Sequence, residues 1–159
     1  MTPLSMDEIR FTVPGEPVGK GRHRSVTRKR RDASGKMTTY VAHITPEKTE
    51  EYELRVKSAT RLAVAEYEAI LGPVMLELKI YVGIAASWPK KKRQMALDGD
   101  MYPTKKPDSS NILKAIEDAM NEVAYGDDAQ ITDHHIKRRF SETPRVEIIL
   151  TPLSKAGSS

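Results

Sequence analysis

Two periodicities alternate along this chain, and the places where one gives way to the other mark its elements. Residues 9–13 (IRFTV) alternate apolar and polar and run into Pro14-Gly15, which predicts a strand ending in a turn. The Gly- and Arg-rich stretch 15–37 has no period and predicts a basic loop or hairpin, followed by a short strand over TTYVAHI at 38–44. Thr45-Pro46 then reads as an N-cap with proline at the first helical position, and Glu47, Glu50 and Glu51 suit the positive end of a helix dipole. Tyr52, Val56, Ala59, Ala63, Tyr67 and Ile70 recur at three- and four-residue steps, which extends that helix over 46–70 until Gly72-Pro73 stops it.

The run VMLELKIYVGIA at 74–85 has the character of a central strand. A polar connection with Pro89, Gly99, Pro103 and Pro107 fills 86–107, and a loop of that length in a compact domain is usually functional. A second helix is expected from Asn111 to Val123. After Gly126, QITDHHIKRRF and RVEIILT are expected to pair with each other around a turn at 142–144. The order β-β-α-β-α-β-β predicts an α+β fold, a single domain over residues 1–152 whose mixed sheet is packed by two main helices, with a disordered tail at 153–159.

At 159 residues the chain is large enough for one well-filled core. Hydrophobic residues make up 38% and charged residues 30%, ordinary for a globular protein, and no stretch of about 18 apolar residues offers a membrane span. The start, MTPLSMDEIRF, lacks a secretory pattern, and the absence of cysteine excludes disulfides and thiolate metal sites; both favour a cytoplasmic setting.

Charge changes the picture through its distribution rather than its net value of +4. Lys20, Arg22, Arg24, Arg28, Lys29, Arg30 and Arg31 form a cluster without an acid, and Lys90, Lys91, Lys92, Arg93, Lys105 and Lys106 form another. The acids gather in 47–53 and 108–128. Basic surfaces flanking an acidic site suit a bound polyanion.

That acidic site is the segment KKPDSSNILKAIEDAMNEVAYGDDAQITD, residues 105–133. On a helix Ile112, Ile116, Ala119, Met120 and Val123 share a core face, while Asn111, Lys114, Asp118 and Glu122 share the other. Asp108 lies just before the first turn and Asp127-Asp128 just past the end. Carboxylates suit a hard cation such as Mg²⁺, which polarises a phosphate and helps generate hydroxide; a lysine between them would stabilise the developing charge. The helix N-terminus adds N–H donors for phosphate. Each feature also has a plain structural use: Asp108 as an N-cap, Asp127-Asp128 as a turn, Lys114 and Asp118 as a surface ion pair. His134 and His135, adjacent in a strand, point to opposite faces, one exposed and one packed, so they do not share a metal. His23 is read as a bystander and Trp88 as an anchor for its loop. PKKKR at 89–93 matches a nuclear-import pattern but fits a phosphate-contacting loop better. YGDD at 125–128 matches a polymerase tetrapeptide, but a helix rather than a strand precedes it and the chain has no room for polymerase subdomains.

PDSSNILKAIEDAM followed by GDDAQI resembles the core of the RusA family of Holliday junction resolvases, where P-D-x-D-N-x-x-K-x-x-x-D precedes D-D-x-Q. VPGEPVGKGRHR and ITPEKTEEYE resemble that family's opening strand and basic segment and the start of its first helix, so the similarity spans roughly 9–150. The resemblance implies a homodimeric, Mg²⁺-dependent crossover junction endodeoxyribonuclease that binds four-way DNA junctions and resolves them by paired symmetric nicks, with Mn²⁺ as a substitute metal. It implies metal-binding carboxylates at Asp108 and Asp128 with Asp127 beside them, an essential lysine at Lys114, and supporting roles for Asn111, Asp118 and Gln130. Backbone contacts fall to Lys20, Arg22, Arg24, Lys90, Lys91, Lys92, Arg93, Lys105 and Lys106. Roles in recombination and repair and a phage or prophage source are implied with it. One position departs: the second Asp of P-D-x-D-N is Ser110, a neutral and weaker ligand, which leaves open a weakened or inactive junction-binding protein.

Overall fold

The structure, a computed structural model, describes residues 8–21, 24–44 and 46–153. In chain order the elements are β1 (Ile9–Pro14), β2 (Arg24–Arg31), β3 (Met37–Ile44), α1 (Glu47–Ala63), β4 (Val74–Val82), α2 (Lys90–Leu97), α3 (Ser109–Met120), a 3₁₀ turn (Asp128–Gln130), β5 (Ile131–Phe140) and β6 (Arg145–Pro152). The fold is α+β with a mixed four-stranded sheet in the order β1-β6-β4-β5. Only the β4–β5 pair is parallel; β4–β6 and β1–β6 are antiparallel.

The last two strands therefore do not pair with each other, contrary to expectation; β4 lies between them. Burial explains why. Val74, Leu76, Leu78 and Ile80 of β4 are all essentially inaccessible, so the most apolar strand takes the inner position. The polar β5, with Ile131 its one buried residue, takes the edge. The crossover from β4 to its parallel neighbour β5 runs through α3.

On one face of the sheet, Leu76, Leu78, Val146, Ile148 and Leu150 pack in a single core with Tyr52 and Val56 of α1 and Ile112, Ile116 and Met120 of α3. The apolar stripe predicted for α3 is thus buried as expected, though the helix starts two residues earlier and ends three earlier. Glu122, at φ 65, takes the left-handed conformation just beyond it.

Three helices stand where periodicity predicts two. The extra one, α2, opens with four cations behind Pro89, has no side-chain cap, and buries only Ala96, so neither propensity nor period announces it. Helix α1 ends at Ala63 rather than 70. The chain turns there because Ile70 belongs elsewhere: it bridges to Tyr125, its N–H bonds the Ala124 carbonyl, and it is 5% exposed. Gln130 locks this turn by donating from Nε2 to the carbonyls of Ile70 (2.7 Å) and Gly72 (3.0 Å).

The basic stretch is a hairpin. Strands β2 and β3 pair from Arg24↔Ile44 to Arg31↔Met37 as a separate two-stranded sheet. Its turn is held by the Asp32 carboxylate, which accepts from the Ser34 hydroxyl and from the Ser34 and Lys36 N–H groups; the Ser34 hydroxyl foremost, then Lys36, holds its pKa below the usual range. From residue 27 through 41 every side chain is exposed. Leu153, expected in the tail, is described and its N–H bonds the Pro73 carbonyl at 2.8 Å; residues 154–159, like 1–7, lie outside the described part.

Candidate active site

Asp108 follows Pro107 with extended backbone (φ −78, ψ 165) and caps α3. Its Oδ1 accepts the Asn111 N–H at 2.9 Å and the Ser110 hydroxyl at 3.2 Å, while Oδ2 takes part in neither bond. The capping role is real, then, and it occupies one oxygen. Asp108, Asn111, Gly19, Lys20, Lys48 and Lys106 line an open cleft of about 590 Å³.

Two helices clamp the Gly19-Lys20-Gly21 segment beside this cap. Thr49 Oγ1 accepts the Gly21 N–H (3.0 Å) and donates to the Gly19 carbonyl (3.2 Å), and the Lys20 N–H bonds the Asn111 carbonyl (2.9 Å). A Cβ on Gly19 would stand 2.8 Å from Pro107 Cβ, and one on Gly21 2.6 Å from Pro46 Cγ, so only glycine admits this approach. The clamp aims Lys20 inward: its Nζ lies 2.5 Å from Glu53 Oε1 and 3.1 Å from Asp118 Oδ2. Asp118 Oδ1 in turn meets Lys114 Nζ at 3.2 Å.

Asp118 is therefore shared by two lysines. Lys20, with its side chain 20% exposed, is a structural ion-pair partner rather than an open DNA contact, whereas Lys114 is 57% exposed. Burial pulls the Lys20 pKa down, but the hydrogen bonds it donates to Glu53 and Asp118 outweigh it, and the pKa is raised above the ordinary lysine value. A lysine held more tightly in the folded state stabilises fully below its unfolded pKa, and that contribution is lost as pH rises through the folded value. Denaturation midpoints measured between roughly pH 9 and 12 are expected to fall more steeply for the unmodified protein than for Lys20→Met; parallel curves would contradict the assignment.

At the other end of α3, Asp127 caps the 3₁₀ turn. Its Oδ1 accepts the Ala129 N–H (3.0 Å), while Gln130 Oε1 accepts the N–H groups of Gly126 (2.9 Å) and Asp127 (3.0 Å). The Ala129 N–H, and then a hydrogen bond with Asp128, hold the Asp127 carboxyl below its ordinary pKa. Behind them Tyr125 is buried and donates to the Glu117 carbonyl at 3.2 Å. Burial first, then the charges of Glu117, Asp128 and Asp118, push its pKa far up.

Residues 14–151 match the sequence profile of the family described as Endodeoxyribonuclease RusA. The chain belongs to the RusA endodeoxyribonuclease family. It is also 35% identical over 154 residues to "Uncharacterized protein YqaN" of Bacillus subtilis (strain 168), covering 94% of this chain and 99% of that one.

In this RusA-family chain the motif residues divide between the two ends of α3. Asp108, Ser110 and Asn111 sit at the N-terminus, Lys114 and Asp118 along the shaft, and Asp127, Asp128 and Gln130 beyond the C-terminus. Twelve helical residues span about 18 Å. Among the described residues no three His, Asp or Glu side chains converge to hold a metal. RusA resolvases are generally dependent on a divalent metal. Here the donors suit a hard cation in kind, all being carboxylate or hydroxyl oxygens, but one copy of the chain does not assemble Asp108, Asp127 and Asp128 into a three-carboxylate cage.

Of the expected DNA contacts, Lys90, Lys91, Lys92 and Arg93 form the first turn of α2, and Lys105 and Lys106 lead into α3. Arg22 and His23, and the Arg24 side chain, lie outside the described residues. Lys48 in the cleft was missed, as was Glu53, although Thr49, Tyr52, Glu53 and Val56 fall at helical steps on the side of α1 that meets the rest of the fold. The histidines do take opposite faces, but both are exposed; His134 Nε2 meets Glu117 Oε1 at 2.7 Å. Among the described residues no helix is long and apolar enough to cross a membrane.

Proposed function

We propose that this RusA-family protein acts as a homodimer on four-way DNA junctions, cutting two strands symmetrically in a reaction that requires Mg²⁺, with Mn²⁺ as a substitute, in recombination and repair. The observation that carries this reading is the capping carboxylate of Asp108 set in a cleft whose other charged lining is cationic, Lys48 and Lys106 beside the ion-paired Lys20. A phosphodiester entering such a cleft meets cations and the N–H groups of the first turn of α3. Asp108 and Asp128, with Asp127, are the ligands we assign to the metal in the dimer, since a single copy does not bring them together; the metal would there polarise the phosphate and lower the pKa of a water. Lys114, held by Asp118 yet open to solvent, neutralises charge growing on the phosphate. Asp118 positions Lys114, and Gln130 positions the Asp127-Asp128 turn. Paired nicks need two sites related by a two-fold axis, which a dimer supplies.

One observation favours a second reading. The Ser110 hydroxyl donates to Asp108 where the family motif has a further carboxylate, so the site is short of one negative charge. A junction-binding protein with weakened or absent cleavage would show this feature.

The binding half of the proposal is tested by titrating a four-way junction and a duplex of equal length across a range of salt. The junction is expected to bind tighter, and replacing Lys90 and Lys91 with Ala is expected to reduce the salt slope by roughly one unit for each phosphate contact removed. Equal affinity for duplex and junction would contradict the structure-specific reading, and an unchanged slope would remove α2 from the interface.

A further inference from the structure

Beyond the cleft, a second cavity of about 350 Å³ opens between α2, the segment 101–106 and the ends of β4 and β5. Its walls are aromatic. Trp88 and Phe140 meet edge to face with centroids 5.3 Å apart, and Tyr102 stands beside them with 61% of its surface in water. Its charged lining is wholly cationic: Lys92, Lys105, Lys106 and Arg138, with no acid. Lys92 Nζ lies 4.1 Å from the Trp88 ring centroid, and the Arg139 guanidinium 4.6 Å from that of Tyr102.

We propose that this cavity holds a nucleobase unstacked from DNA, an inference that rests on the DNA-binding reading above. Trp88 and Phe140 account for each other as packing partners, whereas Tyr102, met by the Arg139 guanidinium, still keeps 61% of its surface in water. Arg138, also in the lining, donates from Nη2 to the Lys105 carbonyl at 2.6 Å. A purine or pyrimidine offers a flat face to stack on the exposed ring of Tyr102, and ring-nitrogen or carbonyl acceptors for the cationic rim. A volume of this size falls within the range of small-ligand sites, roughly 300–1,000 Å³. An uncharged apolar ligand would leave the cationic rim without a partner, whereas the phosphates flanking a base would occupy it.

Position gives the pocket its use. Lys106 lines both this cavity and the cleft containing Asp108, so a strand crossing the cleft continues directly to the pocket. Bases inside a duplex are stacked and cannot enter. Bases at a branch point, or in a single strand, can. The pocket would thus read the unstacked state rather than sequence.

Trp88 is the single tryptophan of the chain, which makes its emission a direct probe. Titration with oligothymidine and with a four-way junction is expected to quench Trp88, while a duplex of equal length leaves it unchanged. Tyr102→Ala, at a largely exposed position, is expected to weaken oligothymidine binding about fivefold or more, the low end of one base-stacking contact, with duplex affinity unaltered. Junction binding with unchanged Trp88 emission, or an equal loss of duplex and single-strand affinity in Tyr102→Ala, would overturn the pocket alone. Failure to bind any of the three DNAs would overturn both the pocket and the proposed function.

Discussion

Asp108→Asn is expected to slow junction cleavage about 10³-fold, corresponding to roughly 4 kcal/mol of lost charge stabilisation, while leaving the melting temperature unchanged. The substitution separates two roles that Asp108 holds at once. Its Oδ1 caps α3 through the Asn111 N–H and also accepts from the Ser110 hydroxyl. Asparagine caps as well as aspartate, so the helix start survives while the negative charge does not. Asp108→Ala would lose both, with a further cost of about 1 kcal/mol in stability from the missing cap. Single-turnover cleavage and thermal melting of the two variants make the comparison. A stable, fully active Asp108→Asn would reduce this residue to a cap.

Lys114→Ala is expected to lower cleavage about 10²- to 10³-fold with junction affinity little changed, the usual cost of removing one group aimed at developing charge. The ion pairs make this a clean test. Lys114 is 57% exposed and among the described residues pairs with Asp118, which keeps Lys20 as its second partner at 3.1 Å. A surface pair of this kind contributes about 0–1 kcal/mol, so folding is preserved. Lys20→Met is expected to behave in the opposite way, destabilising the fold because it strips Glu53 and Asp118 of their shared cation, with less effect on cleavage per folded molecule. If Lys114→Ala lost affinity and cleavage equally, Lys114 would be a binding residue rather than one acting on the transition state.

Much of this architecture is carried by short-range pattern. The stripe of Ile112, Ile116 and Met120, the cap at Asp108 and the central-strand character of β4 are local, and each is borne out. What sequence alone concealed was set by partners distant along the chain. The pairing of β5 is decided by which strand must be buried, and β4 claims the inner position that a simple hairpin would have denied it. Tyr67 and Ile70 continue the period of α1, yet Ile70 is drawn off by its bridge to Tyr125 and by Gln130, 60 residues away. Lys20 reads as a surface cation because its acids arrive from α1 and α3. The candidate site shows the same division. Its residues are legible as a motif, but their distribution to the two ends of α3 appears only in three dimensions.

The most direct measurement is cleavage of a synthetic four-way junction in Mg²⁺ and in Mn²⁺ by the unmodified protein, by Asp128→Asn and by Ser110→Asp. Paired symmetric nicks that require the metal, vanish in Asp128→Asn and quicken in Ser110→Asp are the predicted result. Cleavage that persists undiminished in Asp128→Asn, or that proceeds equally in chelator, would contradict a metal-dependent resolvase using these carboxylates.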